Sequence, residues 1–377
     1  MEDYIRLDEA CDLNMGQSPD SHGYNETGDG LPFFQGNADF GEMNPTVRVW
    51  CNEPTKVVDA NTLLISVRAP IGALNFSNTK SCIGRGLAGL TTKAGFDSKY
   101  IYYCLKSKNQ ELNMKGTGST FKAISKNALG ETLVKNISIQ DQLVCVDRLD
   151  KVTMAIDARK RQLEELDTLI KSRFVEMFGS LPTNEKQWEI ATVRDVTTEV
   201  RYGSSRPAVD GGRYPYLRMN NITYSGELDL SDIKQIDIPE NELQKCTVCR
   251  GDVLFNRTNS KELVGKTCVY NRDEMMVLAG FVIRVRVNEK MLPEFLSAFL
   301  NTDFSKQMLL GMCKAAIGQA NINAQELQNI ELYVPPITMQ KNFVAFKQHV
   351  DKSKSVIQKS LDETQLLFDS LMQQYFG

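Results

Sequence analysis

Residues 139–179 read IQDQLVCVDRLDKVTMAIDARKRQLEELDTLIKSRFVEMFG, and 198 positions later residues 337–377 read ITMQKNFVAFKQHVDKSKSVIQKSLDETQLLFDSLMQQYFG. The two stretches superpose without a gap. Ile139 falls on Ile337, Gln142 on Gln340, Leu163 on Leu361, Leu169 on Leu367, Ser172 on Ser370, and Phe178-Gly179 on Phe376-Gly377. In the first copy Leu143, Val146, Leu149, Val152, Ile156, Leu163, Leu166, Ile170, Phe174 and Met177 recur by threes and fours, with one longer step past Arg159-Lys160. That spacing predicts an apolar stripe on a helix of roughly 37 residues, about 55 Å long. Val344, Val350, Ile357, Leu361, Leu367, Leu371 and Tyr375 form a similar stripe in the second copy. Gly179 and Leu181-Pro182 supply a stop signal for the first helix.

The repeat extends upstream, where Ile124-Ser125 falls on Ile322-Asn323 and, with small insertions, Leu64-Ile-Ser-Val-Arg68 on Val253-Leu-Phe-Asn-Arg257. Gly72 answers Gly265, and Tyr100–Leu105 answers Phe295–Leu300. A period this long is a duplicated domain with an appended helix, not a solenoid. Each half opens with a strand- and turn-rich part, marked by runs such as Thr62–Val67 and Val282–Val287 and by Gly28-Asp-Gly30 and Gly211-Gly212. Alternation of apolar and basic residues over Val282–Val287 predicts a half-buried strand. The expected organisation is α+β: a head over 1–136, a long helix within 137–182, a second head over 183–335 and a second long helix within 336–377. Neither stripe can remain in water over such a length, so the helices are expected to pack together as an antiparallel coiled coil with pseudo-two-fold symmetry. Leu143, Val146, Ile156, Leu163, Leu166 and Ile170 are expected to meet Val350, Ile357, Leu361, Leu367 and Leu371. Such a rod suits a ligand read at two separated places, or it is a plain spacer.

Composition narrows the class. The first residues carry neither a basic nor an apolar leader region, and no apolar run reaches the roughly 18 residues of a membrane span, so a cytoplasmic protein without membrane contact is expected. Nine cysteines are scattered without the density of a disulfide framework. The formal charge is −3, unlike a bulk polycation. Its distribution is uneven: residues 1–79 hold 4 Lys/Arg against 12 Asp/Glu, whereas residues 80–135 hold 10 against 3. The second stretch is either a local basic face for phosphates or a solvated charge run.

Head, long helix, head, long helix resembles the specificity subunits of Type I restriction–modification systems, and the resemblance covers essentially the whole chain. The local motifs agree with the family in order: Gly16-Gln-Ser-Pro19 and, one residue longer, Gly203-Ser-Ser-Arg-Pro207; Leu31-Pro-Phe-Phe34 and Tyr214-Pro-Tyr-Leu217; Leu64–Gly72 and Gly251–Thr258. The family's helix start, Pro-Pro-x-x-x-Gln, stands as Pro335–Gln340, while the first copy departs from it as Asn136–Gln142 without either proline. The resemblance implies two target recognition domains on double-stranded DNA and a bipartite asymmetric target. It also implies two methyltransferase subunits using S-adenosylmethionine, restriction subunits using ATP and Mg, and no cofactor or catalysis in this chain. A Type IIB-like specificity subunit, or a non-catalytic two-headed scaffold for proteins or glycans, are the competing readings.

The residues fit a chain that leaves chemistry to partners. There is no Gly-x-x-x-x-Gly-Lys-Ser/Thr loop and no Asn/Asp-Pro-Pro-aromatic tetrad, and His22 and His349 are the only histidines. Gly84–Gly89 fits Gly-x-Gly-x-x-Gly but cannot open a helix, so a turn between strands is expected; Cys246-Thr-Val-Cys249 lacks a second pair for zinc. Polar and basic side chains suited to phosphates and base edges are Ser18, Gln35, Arg68, Lys115, Ser119, Lys122 and Lys126 in the first head. In the second head they are Arg206, Arg218, Asn220, Arg257, Asn259, Lys261, Lys314 and Gln319. Arg68 and Arg257 fall on matching places, so a structural salt bridge is the alternative role for them.

Overall fold

The computed structural model describes residues 4–117, 122–260, 263–313 and 320–377. Both repeated stretches are single helices of 40 residues, Ile139–Phe178 and Ile337–Phe376. Contacts divide the chain into two compact units, Met1–Arg159 with Ser360–Gly377, and Lys160–Lys359. These units run along different lines from the head and helix segments read in the sequence, because each half of a long helix buries its stripe in the core of one head.

In the first unit a four-stranded antiparallel sheet has the order Cys11–Met15, Leu87–Thr92, Leu63–Ser66, Leu74–Phe76. A second sheet contains Leu31–Phe34 parallel to Ser81–Ile83, and Tyr4–Arg6 pairs with Leu133–Lys135. Every residue of Leu63–Ser66 is buried, as a central strand covered on both faces requires. The helix Ser98–Ser107 packs Tyr100, Ile101, Tyr103, Cys104 and Leu105 into the same core as Val146, Leu149 and Ile156 of the first long helix and Phe368 and Phe376 of the second. Arg148 donates to the Tyr375 hydroxyl at 2.9 Å and Arg159 Nε to Ser360 Oγ at 3.3 Å. One number rises while the other falls, so the two helices run antiparallel here.

The second unit repeats the plan. Its antiparallel sheet is ordered Thr197–Tyr202, Val282–Val287, Val253–Asn256, Thr267–Val269, and Tyr214–Leu217 runs parallel to Met276–Leu278 in a neighbouring sheet. Glu189–Thr192 pairs with Glu331–Val334. Phe174 and Phe178 of the first long helix and Phe343 of the second form an aromatic core with Phe295, Phe299 and Tyr333, and Phe174 and Phe343 stand edge to face at 5.2 Å. Of these, Phe295 and Phe299 belong to the helix Pro293–Leu300 and Tyr333 to the strand Glu331–Val334, so Phe343 alone comes from the second long helix. Asp167 and Lys354 meet at 2.6 Å and Phe174 and Phe343 at 5.2 Å, one number rising as the other falls, so the pairing is again antiparallel.

Three expectations from the pattern change in three dimensions. Leu143 is 45% and Leu367 50% exposed. Neighbouring helical residues point about 100° apart, and it is Gln142 and Phe368 that turn inward instead. Of the other stripe residues, Val146, Ile156 and Val350 are buried, and Leu163, Leu166, Ile170, Ile357, Leu361 and Leu371 are half-buried. The strand Val282–Val287 is not half-exposed at Arg284, which is buried with its guanidinium 2.7 Å from Glu199 and 3.9 Å from Asp252 and also bonded to the carbonyl of Thr247. A buried cation persists because acidic partners and a carbonyl replace its water.

Gln142 and Gln340 explain the shared helix start. In the first unit the Gln142 carboxamide accepts from Asp97 N and donates to the carbonyls of Gly95 and Ile137, all at 2.9 Å. Gln340 accepts from Leu292 N at 2.9 Å and donates to Lys290 O at 2.9 Å and Pro335 O at 2.8 Å. The same staple forms with and without the two prolines.

Candidate nucleic-acid interface

Each head builds the same backbone crossing. In the first, Gly16 N donates to Leu87 O, Gln17 N to Ile83 O, Gly84 N to Phe34 O, and Val67 N to Gly86 O, at 2.8–3.0 Å. In the second, Gly203 N donates to Val282 O, Ser204 N to Leu278 O, Ala279 N to Leu217 O, and Arg257 N to Phe281 O. The opening glycine of Gly-x-x-Pro is structural. A Cβ at Gly16 would stand 2.2 Å from Gly84 O, and one at Gly203 2.1 Å from Leu278 O. The Gly84–Gly89 run opens with the expected turn between strands, Gly84–Gly86, linking Ser81–Ile83 to Leu87–Thr92, and ends inside the second of these strands.

These bonds correct the sequence register by one residue. Ser66 lies opposite Leu87, and Asn256 opposite Val282. The partner of Arg257 is therefore the buried Val67, and Ile124 N to Val67 O is matched by Ile322 N to Arg257 O. Arg68, bridged to Ala123, corresponds to Thr258, paired with Asn321. Arg68 and Arg257 do not occupy matching places, and neither has an ion-pair partner among the described residues. Gly72 and Gly265 do correspond, donating to Ser66 O and Asn256 O, so the spacing difference lies between strand and glycine.

In the first head Ser18, Gln35, Arg68 and Lys122 gather around the turn at Arg85. Ser18 Oγ accepts from Arg85 N at 3.3 Å, Gln35 O accepts from Gly86 N at 3.2 Å, and Ala69 N donates to Lys122 O at 3.1 Å. The Gln35, Arg68, Arg85 and Lys122 residues are exposed. Lys115 stands apart in charge: its ammonium is 2.7 Å from Glu111 and 3.4 Å from the Thr132 hydroxyl. Lys126 is exposed at the start of the short helix Lys126–Gly130. Much of the basic stretch is likewise committed, with Lys93 3.7 Å from Asp12, Lys99 2.5 Å from Asp150 and Lys108 3.7 Å from Glu111. The charge run is thus partly internal pairing and partly an open edge.

In the second head Arg206, Arg218, Asn220 and Arg257 line one hollow of about 480 Å³ with Tyr216 and Phe281. Arg218 follows Leu217 as Gln35 follows Phe34, so these two side chains sit at matching places. Arg206 forms a two-pronged contact with Glu242, at 3.1 and 2.8 Å, and Arg218 meets Asp232 at 2.8 Å. Such rim pairs are worth at most about 1 kcal/mol, so a phosphate or base edge can compete for either guanidinium. The Arg206 contact raises its own pKa and lowers that of Glu242, chiefly through their hydrogen bonds. Arg257 lies 4.9 Å over the Tyr202 ring and donates to Gly280 O at 3.3 Å. Asn259 is half-buried in the short strand Thr258–Asn259, its carboxamide oxygen accepting from Ser260 N. Ser119, Lys261, Lys314 and Gln319 lie outside the described residues.

Sequence reasoning passed over Arg85 and Phe281, because a glycine-rich turn was read for its backbone alone. Cys246 ends the helix Glu240–Cys246 and Cys249 follows the strand Thr247–Val248. Burial pushes the Cys246 thiol above its ordinary pKa. Among the described residues no cluster of three or more His, Cys, Asp or Glu could hold a metal ion, and no helix is long and apolar enough to cross a membrane.

The chain is 38% identical over 154 residues to the putative type I restriction enzyme MjaX specificity subunit of Methanocaldococcus jannaschii, covering 41% of this chain and 36% of that protein. It is 22% identical over 251 residues to the type I restriction enzyme EcoKI specificity subunit of Escherichia coli, covering 62% and 54%. The matched part thus spans between a third and just over half of these two relatives. The crystal structure of a Type I restriction–modification S subunit from M. genitalium shares the fold with a TM-score of 0.59 at 14% identity, covering 100% of this chain and 96% of that one. Residues 2–168 and 185–364 both match the Type I restriction modification DNA specificity domain. On that two-fold match the chain belongs to the Type I restriction modification DNA specificity domain family.

Proposed function

We propose that this chain is the DNA-reading specificity subunit of a Type I restriction–modification complex, and that each head reads one half of a bipartite target in the major groove. The observation that carries the reading is the duplicated backbone crossing, edged by Arg68, Arg85 and Lys122 in one head and by Arg206, Arg218 and Arg257 in the other. The heads share a frame but differ in the side chains around it, so the target is asymmetric, unlike the palindrome of a homodimer. The long helices set the unspecified gap between half-sites and offer the docking surface for two methyltransferase subunits. Methylation of adenine with S-adenosylmethionine, and ATP- and Mg-dependent restriction, belong to partner subunits, and this chain performs no catalysis. The complex acts in the cytoplasm.

The test is co-expression with the partner methyltransferase subunit and single-molecule sequencing of host DNA for methylated adenine. The expected result is one new motif of two different short half-sites around a fixed gap. Binding of the purified complex to that motif falls steeply with salt, by roughly a thousand-fold between 50 and 200 mM if about six phosphates are neutralised. A complex that purifies yet methylates no motif, and binds DNA without salt dependence, would overturn the proposal.

A further inference from the structure

We infer that the turn Gly84–Gly86 of the first head and its counterpart Ala279–Phe281 of the second are base-reading tips of different chemistry: Arg85 reads a guanine, and Phe281 reads the methyl group of a thymine. This rests on the proposed reading of both heads as DNA-binding domains.

The correspondence of the two turns follows from their bonds. Leu87 N closes on Gly84 O and Val282 N on Ala279 O, while Val67 N and Arg257 N hold Gly86 O and Phe281 O. Every backbone N–H of the first turn is engaged: Gly84 N by Phe34 O, Arg85 N by Ser18 Oγ and Gly86 N by Gln35 O. A Cβ at Gly86 would stand 2.4 Å from Gln35 O, so the backbone is pressed against its neighbour and only Arg85 projects. Arg85 is exposed, and no carboxylate pairs with it among the described residues, unlike Arg48, Lys99 or Lys115 nearby in sequence. The fully bonded backbone of the turn has little freedom left to lose on binding, and the unpaired Arg85 guanidinium gives up no ion pair when it makes the two parallel hydrogen bonds to guanine O6 and N7, the commonest specific contact in the major groove. Arg68 and Lys122, exposed on segments tied to the turn through Val67 N to Gly86 O and Ala69 N to Lys122 O, supply the charge for flanking phosphates.

The second turn carries no such donor. Gly280 stands where Arg85 does, and its N–H is held by Ser204 O at 2.7 Å. Phe281, 54% exposed on the rim of a hollow lined by three arginines, is the projecting side chain. Its carbonyl is held by Arg257 N, and Arg257 itself is anchored on Gly280 O and the Tyr202 ring, so Arg257 braces the turn. A phenyl group cannot bond phosphate or a base edge. Among the features of the major groove it complements only the thymine 5-methyl group.

The test uses the methyltransferase complex and the methylated motif as readout, for the unaltered chain and for Arg85→Lys, Arg85→Ala and Phe281→Ala. Arg85→Lys keeps the charge but loses the paired donors. It is expected to cut discrimination at one guanine position of one half-site by about ten- to hundred-fold, with the other half-site unchanged. Phe281→Ala is expected to relax one thymine position, in the other half-site. If the unaltered complex yields a bipartite motif but Arg85→Lys retains full discrimination, or Phe281→Ala relaxes no thymine position, the inference is overturned while the reading of the heads stands. If both substitutions relax the same half-site, the reading of one half-site per head fails as well. If the unaltered complex yields no motif, that reading fails and this inference with it.

Discussion

Replacing Gln340 with alanine tests whether the carboxamide staple holds the second helix start. Gln340 is fully buried and bonds Leu292 N, Lys290 O and Pro335 O. Each hydrogen bond contributes about 1 kcal/mol net, and the buried Pro335 carbonyl left without a donor adds roughly another, for a loss of about 3–4 kcal/mol. The assay is urea denaturation followed by fluorescence, because Trp50 and Trp188, the chain's two tryptophans, fall one in each compact unit. In a Trp50→Phe background Trp188 reports the second unit alone; its indole donates to Phe178 O at 3.0 Å, beside the same aromatic core. With a slope of roughly 2–3 kcal/mol per M urea, the Trp188 midpoint should fall by more than about 1 M. Gln340→Glu is expected to be worse at neutral pH, since a carboxylate oxygen would face two carbonyls. Burial and those carbonyls raise the folded-state pKa of that carboxyl, so its penalty is present above that pKa and is relieved as pH falls through it. A Gln340→Ala midpoint shift below about 0.2 M would refute the reasoning.

Phe174→Ala removes the ring shared by Phe178, Phe295 and Phe343 and should cost about 3–5 kcal/mol in the same Trp188 assay. Arg284→Leu leaves Glu199 with Arg201 at 2.6 Å and Arg286 at 3.0 Å, and Asp252 with Arg286 at 2.8 Å, but strips the Thr247 carbonyl of its donor, so a loss of about 1–3 kcal/mol is expected, whereas a neutral result would show Arg284 to be dispensable. Burial, with Lys171 and Lys266 nearby, lowers the Lys306 pKa from 10.5 to about 8. Between those values the unfolded chain binds the extra proton, so this group's contribution to stability rises as pH climbs from about 8 to 10.5; the stability difference between Lys306→Met and the unaltered chain should shrink over that range, and a pH-independent difference would contradict it.

The duplication and the long helices were legible because they are written in local periodicity. An offset of 198 without a gap and steps of three and four need no knowledge of what lies opposite. The same locality limits the reading. Gln142 buries and Leu143 does not, because the carboxamide finds Asp97 N and Gly95 O far away in sequence. Lys99 looks as free as Lys122 until the fold brings Asp150 to it from 51 positions away, whereas Lys115 meets Glu111 one helical turn earlier, a pair that local spacing alone can make. Arg68 matches Arg257 in a linear alignment, and only strand pairing shows that Arg257 answers Val67. The glycines announced the turn at Arg85, but its role at the edge comes from Ser18, Gln35 and Arg68 converging on it through bonds between distant strands. Sequence by itself determined the repeated plan, since hydrophobic spacing is a property of neighbours along the chain. Which cations stay open, and which residues share an edge, was decided by tertiary structure, because a charge is free or spent only according to what the fold places within a few ångströms of it.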